Sequence, residues 1–150
     1  HLGYNYRITD IQCALAISQM DKIDLFLDAR KSMAKFYDQA FTEVPNITPL
    51  QAHGRDNSSH HIYVVSVDFD RIGLTRHQFM TRLAEKGVGS QVHYIPVVSQ
   101  PYYQDMGYGI EQHPETEAYY QNTLSIPLYY GLSSAEQKLV ISSIKDLLEK

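Results

Sequence analysis

Apolar residues in the first forty positions recur at three- and four-residue steps: Ile8, Ile11 and Leu15, then Ile23, Phe26 or Leu27, Met33, Tyr37 and Phe41. That spacing lays them along one stripe of an α-helix, and no Gly or Pro interrupts the run until Pro45. A single helix from about Thr9 to Phe41 would be roughly 50 Å long at 1.5 Å per residue. The same pattern also allows a kinked pair. Thr9-x-x-Gln12 makes a capping box, in which the hydroxyl accepts from the N3 amide while the Gln side chain reaches back. Asp10 adds a negative charge at the positive end of the helix dipole.

Residues 46–60 are polar and rich in breakers, which predicts a connecting loop. His61 to Phe69 is β-branched and aromatic and reads as the best strand. Thr75-x-x-Gln78 opens a second capped helix that runs to Lys86, where Gly87 supplies a left-handed cap. Val88 to Tyr94 alternates and predicts a second strand. A loop with Pro101, Gly107, Gly109 and Pro114 follows, then a helix from Glu115 to about Thr123. Leu124 to Pro127 reads as a short edge strand, where Pro is tolerated. Ser133-x-x-Glu136 caps a last amphipathic helix carrying Leu139, Val140, Ile144, Leu147 and Leu148. This order predicts an α+β fold, with helices covering a small, mostly antiparallel sheet. Two regions are expected: residues 1–42, a long interdomain helix opened by a turn, and residues 43–150, a small α+β domain. Such a helix exceeds what a body of this size can cover, so it is expected to connect two bodies.

Composition narrows the function. The net charge of -4 comes with no basic stripe, which argues against nucleic acid as partner. No apolar run reaches membrane-spanning length, and no signal peptide is expected. The single cysteine, Cys13, cannot form an internal disulfide, which fits a reducing, cytoplasmic setting. Placed between Gln12 and Ala14-Leu15, it is expected to be buried packing rather than a nucleophile. Twelve tyrosines with no tryptophan is the unusual balance. Several are expected to line an amphipathic cleft, and most to be partly buried core residues with wet hydroxyls.

Two stretches carry candidate chemistry. Gly3-Tyr4-Asn5-Tyr6-Arg7 sets a carboxamide and a guanidinium just before the free amides of a helix start, where anions are attracted, and Arg7 offers a fork for phosphate or carboxylate. An ordinary turn before a capped helix has the same composition. Gln91-Val92-His93-Tyr94 lies where the second strand meets a proline-bound loop. On a strand, Gln91 and His93 would share one face and Val92 and Tyr94 the other. Amide and imidazole together can both donate and accept, as a polyol or sugar reader requires; a satisfied half-buried His at a sheet edge fits equally well. The spacing of His53, His60, His61 and His113 matches no metal pattern. No lysine lies in an apolar stretch that would favour imine chemistry.

Three segments, LGYNYRITDIQCALAISQMDKID, HYIPV followed by QPYYQ, and LSIPLYYGLSSAEQKLVISSI, together resemble the C-terminal part of the DegT/DnrJ/EryC1/StrS family. Its members are pyridoxal-phosphate-dependent aminotransferases of nucleotide-linked keto sugars. The Tyr-rich opening and QVHY are most similar to members of the pseudaminic acid branch, which aminate a UDP-linked 4-keto-6-deoxy sugar with glutamate as donor for cell-surface glycans. The resemblance implies the small C-terminal domain of fold type I and a homodimer whose active sites lie between subunits. Asn5 is then expected at the cofactor phosphate or nearby substrate of the other subunit, with Arg7 beside it. Gln91, Val92, His93 and Tyr94 are expected to line the sugar-nucleotide pocket. The cofactor's lysine would lie on a large domain upstream, making this chain the inactive C-terminal portion of a longer enzyme. The competing expectation is a free-standing, non-catalytic α+β module that binds a ligand or a protein.

Overall fold

The computed structural model describes residues 6–50 and 57–149. Asn5 therefore lies outside the described residues, and so does His53. The first predicted helix is the kinked pair. Helix α1 spans Asp10–Met20 and α2 spans Ile23–Phe41, separated by Asp21 and Lys22. The Thr9 capping box forms as expected, with Gln12 N–H donating to Thr9 Oγ1 at 3.4 Å and Thr9 N–H to Gln12 Oε1 at 2.9 Å. None of the residues of α1 is buried. Cys13 is only half-buried, which corrects its expected packing role.

Three strands follow the same chain order: β1 (Ile47–Pro49), β2 (Tyr63–Val67) and β3 (Thr123–Ile126). They form one antiparallel sheet in the order β1-β2-β3. Strand β1 lies inside the stretch expected to be loop; its Pro is tolerated because it sits on an edge strand. The expected strand over residues 88–94 is absent. Only Gln91 pairs, through an isolated bridge to Ser125. The other helices are α3 (Arg76–Glu85), α4 (Pro101–Asp105), α5 (Pro114–Asn122) and α6 (Ser134–Leu148). Both remaining capping boxes form, Thr75 with Gln78 and Ser133 with Glu136. Helix α3 ends where Gly87 turns the chain at φ +78°, a conformation that costs glycine least.

Alternation on β2 buries Tyr63, Val65 and Val67 and leaves Val64 and Ser66 half-covered. The buried face meets Met33, Ala34, Tyr37 and Phe41 of α2, Phe79 and Leu83 of α3, and Val140, Ile144, Leu147 and Leu148 of α6 in one core. Each such fully buried large side chain contributes roughly 1.5–3 kcal/mol relative to exposure. Aromatic rings give the core its geometry: Tyr37 lies 4.9 Å from Tyr63, and Phe69 meets Phe79 edge-on at 5.6 Å. Two polar side chains that enter the core are partnered there. Tyr63 Oη donates to Asp38 Oδ1 at 2.6 Å, and Gln137 Nε2 to the Met33 carbonyl at 2.8 Å. The architecture is the expected α+β arrangement.

Candidate functional site

Strand β3 positions the candidate site. Leu124 and Ile126 point into the core opposite Val65 and Tyr63, so Thr123 and Ser125 occupy the other face. Ser125 is buried at 6% exposure. Its N–H donates to the Gln91 carbonyl at 2.7 Å, and Gln91 N–H donates back to the Ser125 carbonyl at 3.0 Å. One rung of antiparallel pairing thus anchors the 91–94 segment to the open edge of the sheet. Ser125 Oγ then lies 2.7 Å from His93 Nδ1. The His93–Tyr94 peptide is cis, and the two rings meet edge-on at 4.7 Å. His93 is half-buried, whereas Tyr94 is 74% exposed.

The expected division of this segment into two strand faces does not hold, because beyond Gln91 there is no ladder to enforce alternation. Gln91 and His93 do converge, on Ser125. Val92 turns to a separate crevice of about 770 Å³ between α3 and α5, floored by Phe69, Leu74 and Met80 and edged by Arg76, His77, Glu117 and Gln121. Arg76 fixes the wall of that crevice. Its guanidinium lies 4.5 Å above the Tyr120 ring and donates to the Tyr120 carbonyl. Arg7 is exposed just ahead of α1.

Two positioning groups escaped sequence reasoning. Ser125 was hidden inside an apolar-looking tetrapeptide, although its alternation with Leu124 and Ile126 marks it as facing away from the core. Arg30 donates through Nη1 to the carbonyls of His60 at 3.1 Å, His61 at 3.0 Å and Leu128 at 3.3 Å. It clasps two loops to α2, and no pattern in the sequence announces it. The tyrosines also differ from expectation. Tyr37 and Tyr63 are buried, while Tyr94, Tyr102, Tyr103, Tyr108, Tyr129 and Tyr130 are substantially exposed. Tyr102, Tyr103 and Tyr108 pack mainly on one another, at 5.3 and 6.3 Å.

The described lysines do not fit covalent capture of pyridoxal phosphate. Lys22, Lys31, Lys35 and Lys138 are exposed, and Lys86 is held by Asp146 at 2.8 Å on the surface. Lys145 is half-buried on the last turn of α6, beside Gln39 and Glu43. None stands in the apolar pocket that imine chemistry calls for. The part of such a cofactor that this chain could serve is its phosphate, at the capped start of α1 beside Arg7.

The sequence model of the DegT/DnrJ/EryC1/StrS aminotransferase family matches residues 1–145. The spore coat polysaccharide biosynthesis protein SpsC of Bacillus subtilis (strain 168) is 34% identical over 149 residues, which cover 98% of this chain and 38% of that protein. The UDP-4-amino-4,6-dideoxy-N-acetyl-beta-L-altrosamine transaminase of Campylobacter jejuni subsp. jejuni serotype O:2 is 32% identical, over 99% of this chain and 39% of its own length. Among solved structures, Helicobacter pylori PseC, an aminotransferase involved in the biosynthesis of pseudoaminic acid, superposes with a TM-score of 0.89. The identity is 27%, and the match covers 99% of this chain and 40% of that one. The chain thus spans about two fifths of the length of each of these three proteins.

Proposed function

This chain belongs to the DegT/DnrJ/EryC1/StrS aminotransferase family, and from that premise we propose that it is the C-terminal part of a cytoplasmic, homodimeric sugar aminotransferase. The reaction is transfer of an amino group from glutamate to a nucleotide-linked 4-keto-6-deoxy sugar, for a pseudaminic acid-type surface glycan. The observation that carries this reading is the family match along nearly the whole chain. The names of the Campylobacter relative and of the Helicobacter structure favour the pseudaminic branch.

Pyridoxal phosphate supplies the electron sink for such a transfer. The residues of this chain have the other tasks. Asn5 and Arg7, ahead of the capped start of α1, hold the cofactor phosphate or the adjoining substrate of the partner subunit. Gln91, Val92, His93 and Tyr94 line the sugar-nucleotide pocket, with His93 and the exposed Tyr94 offering polar atoms to hydroxyl and phosphate oxygens. None of these groups forms the imine, since that amine lies on polypeptide upstream.

The test compares two polypeptides. The complete reading frame, given pyridoxal phosphate, glutamate and a UDP-linked 4-keto-6-deoxy sugar, should yield 2-oxoglutarate and the 4-amino sugar. Residues 1–150 alone should show neither turnover nor an aldimine absorbance band. A borohydride-trapped adduct on any lysine of the 150-residue chain would overturn the reading.

A further inference from the structure

We propose that Ser125 is a positioning residue for His93: it donates its hydroxyl proton to Nδ1 and so presents Nε2–H outward as a fixed hydrogen-bond donor. The sugar site proposed above would then meet an acceptor oxygen of its ligand at this point, and that last step rests on the sugar-aminotransferase reading.

The direction of the bond follows from what else the hydroxyl can reach. A histidine nitrogen and a serine oxygen 2.7 Å apart can share a proton in either sense, because imidazole has two neutral tautomers. If Nδ1 carried the proton and donated, the serine hydroxyl would need a second acceptor for its own hydrogen. Ser125 is 6% exposed, so solvent does not supply one. Among the described residues its hydroxyl is partnered with His93 alone. That tautomer leaves a buried donor unsatisfied, which native interiors avoid. With the hydroxyl donating, the buried pair is satisfied: Nδ1 accepts, and Nε2–H, which has no partner among the described residues, is left for solvent or a ligand at a half-buried ring.

Ser125 is well suited to hold this direction. Its N–H and C=O are both taken by Gln91, and its strand lies flat against the core through Leu124 and Ile126. The hydroxyl therefore sits on a rigid element, within the rung itself, and the ring it orients follows Gln91 of that rung by two residues. A threonine could make the same bond; an alanine would keep the packing and lose the proton.

Nitrogen-15 spectroscopy of the histidine side chains reads this directly in the neutral pH range. In the wild-type protein, His93 should show an unprotonated Nδ1, a protonated Nε2 and a Ser125 hydroxyl proton protected from exchange. In Ser125→Ala the Nδ1 signal should move to the fast average of two tautomers and the hydroxyl signal should vanish. Ser125→Thr should restore the wild-type pattern. A protonated Nδ1 in the wild type, or an unchanged Nδ1 signal in Ser125→Ala, would overturn the proposal. The wild-type spectrum alone can do so even if a variant fails to fold. No cofactor or sugar is needed, so the wrong tautomer leaves the aminotransferase reading standing, and loss of that reading leaves the tautomer standing.

Discussion

Tyr37 carries its hydroxyl into the core and donates it to the Pro127 carbonyl at 2.8 Å. Burial, and then the nearby Tyr129, push its ionisation well above the ordinary value of 10.0. The sign follows: the folded state resists deprotonation more than the unfolded chain does. The stabilisation is complete below pH 10 and is lost as pH rises beyond that. Tyr37→Phe should remove this alkaline loss. It should also cost about 1–3 kcal/mol at pH 7, because the Pro127 carbonyl is left unpartnered. Urea unfolding of both proteins at pH 7 and pH 10.5 checks this; parallel alkaline slopes would refute it. At this scale the sequence was only half legible. Spacing placed Tyr37 on the buried stripe and put Gln91 beside His93. Ser125 and the Arg30 clasp depend on contacts 32 and up to 98 residues apart along the chain, and no local pattern encodes those.

Caps and period, being local, made the helices readable. All three capping boxes form where the Thr-x-x-Gln and Ser-x-x-Glu spacings place them. The break between α1 and α2 has a signal too. The stripe of Ile8, Ile11 and Leu15 should continue at positions 18, 19 and 22, but these are Ser18, Gln19 and Lys22. The apolar series restarts at Ile23, so nothing anchors the helix across Asp21 and Lys22. Strand β1 and the missing strand at 88–94 went astray for the opposite reason: pairing is decided by the neighbouring strand, not by the segment's own alternation. The last capping box yields a prediction. Ser133→Ala should destabilise the protein by about 1 kcal/mol at neutral pH through loss of the N-cap. The Ser133 hydroxyl, then its backbone N–H, lower the Glu136 carboxyl below its usual value of 4.5. A depressed carboxyl contributes stability that is present above the unfolded value and lost as pH falls. The gap between wild type and Ser133→Ala should therefore narrow below pH 4.5 in thermal melts. A gap independent of pH would show that the hydroxyl acts without Glu136.

Across the whole molecule, one surface stands out against an otherwise conventional core. Helix α1 exposes Ile11, Leu15, Ile17 and Met20, with Ile11 at 83% and Leu15 at 64%, and Ile8 just ahead of the helix is exposed as well. An isolated helix of eleven residues is marginal in water, and an uncovered stripe of this kind is a contact surface waiting for a partner. The sequence pattern had made this legible as a helix too long for its own body, and a free-standing module should have covered it. We therefore expect the 150-residue chain to self-associate through α1. Ile11→Glu with Leu15→Lys replaces two stripe residues by an i, i+4 pair in the favourable Glu-before-Lys order, so the helix itself is not weakened. Sedimentation should show the wild type above its 17.2 kDa monomer mass and the double variant at it, with unchanged circular dichroism. If both sediment as monomers, the stripe is not an adhesive surface, and α1 is not built to lie against another copy of this chain. Equal association of the two proteins would instead move the contact to another face, such as the exposed aromatic segment from Tyr94 to Tyr108.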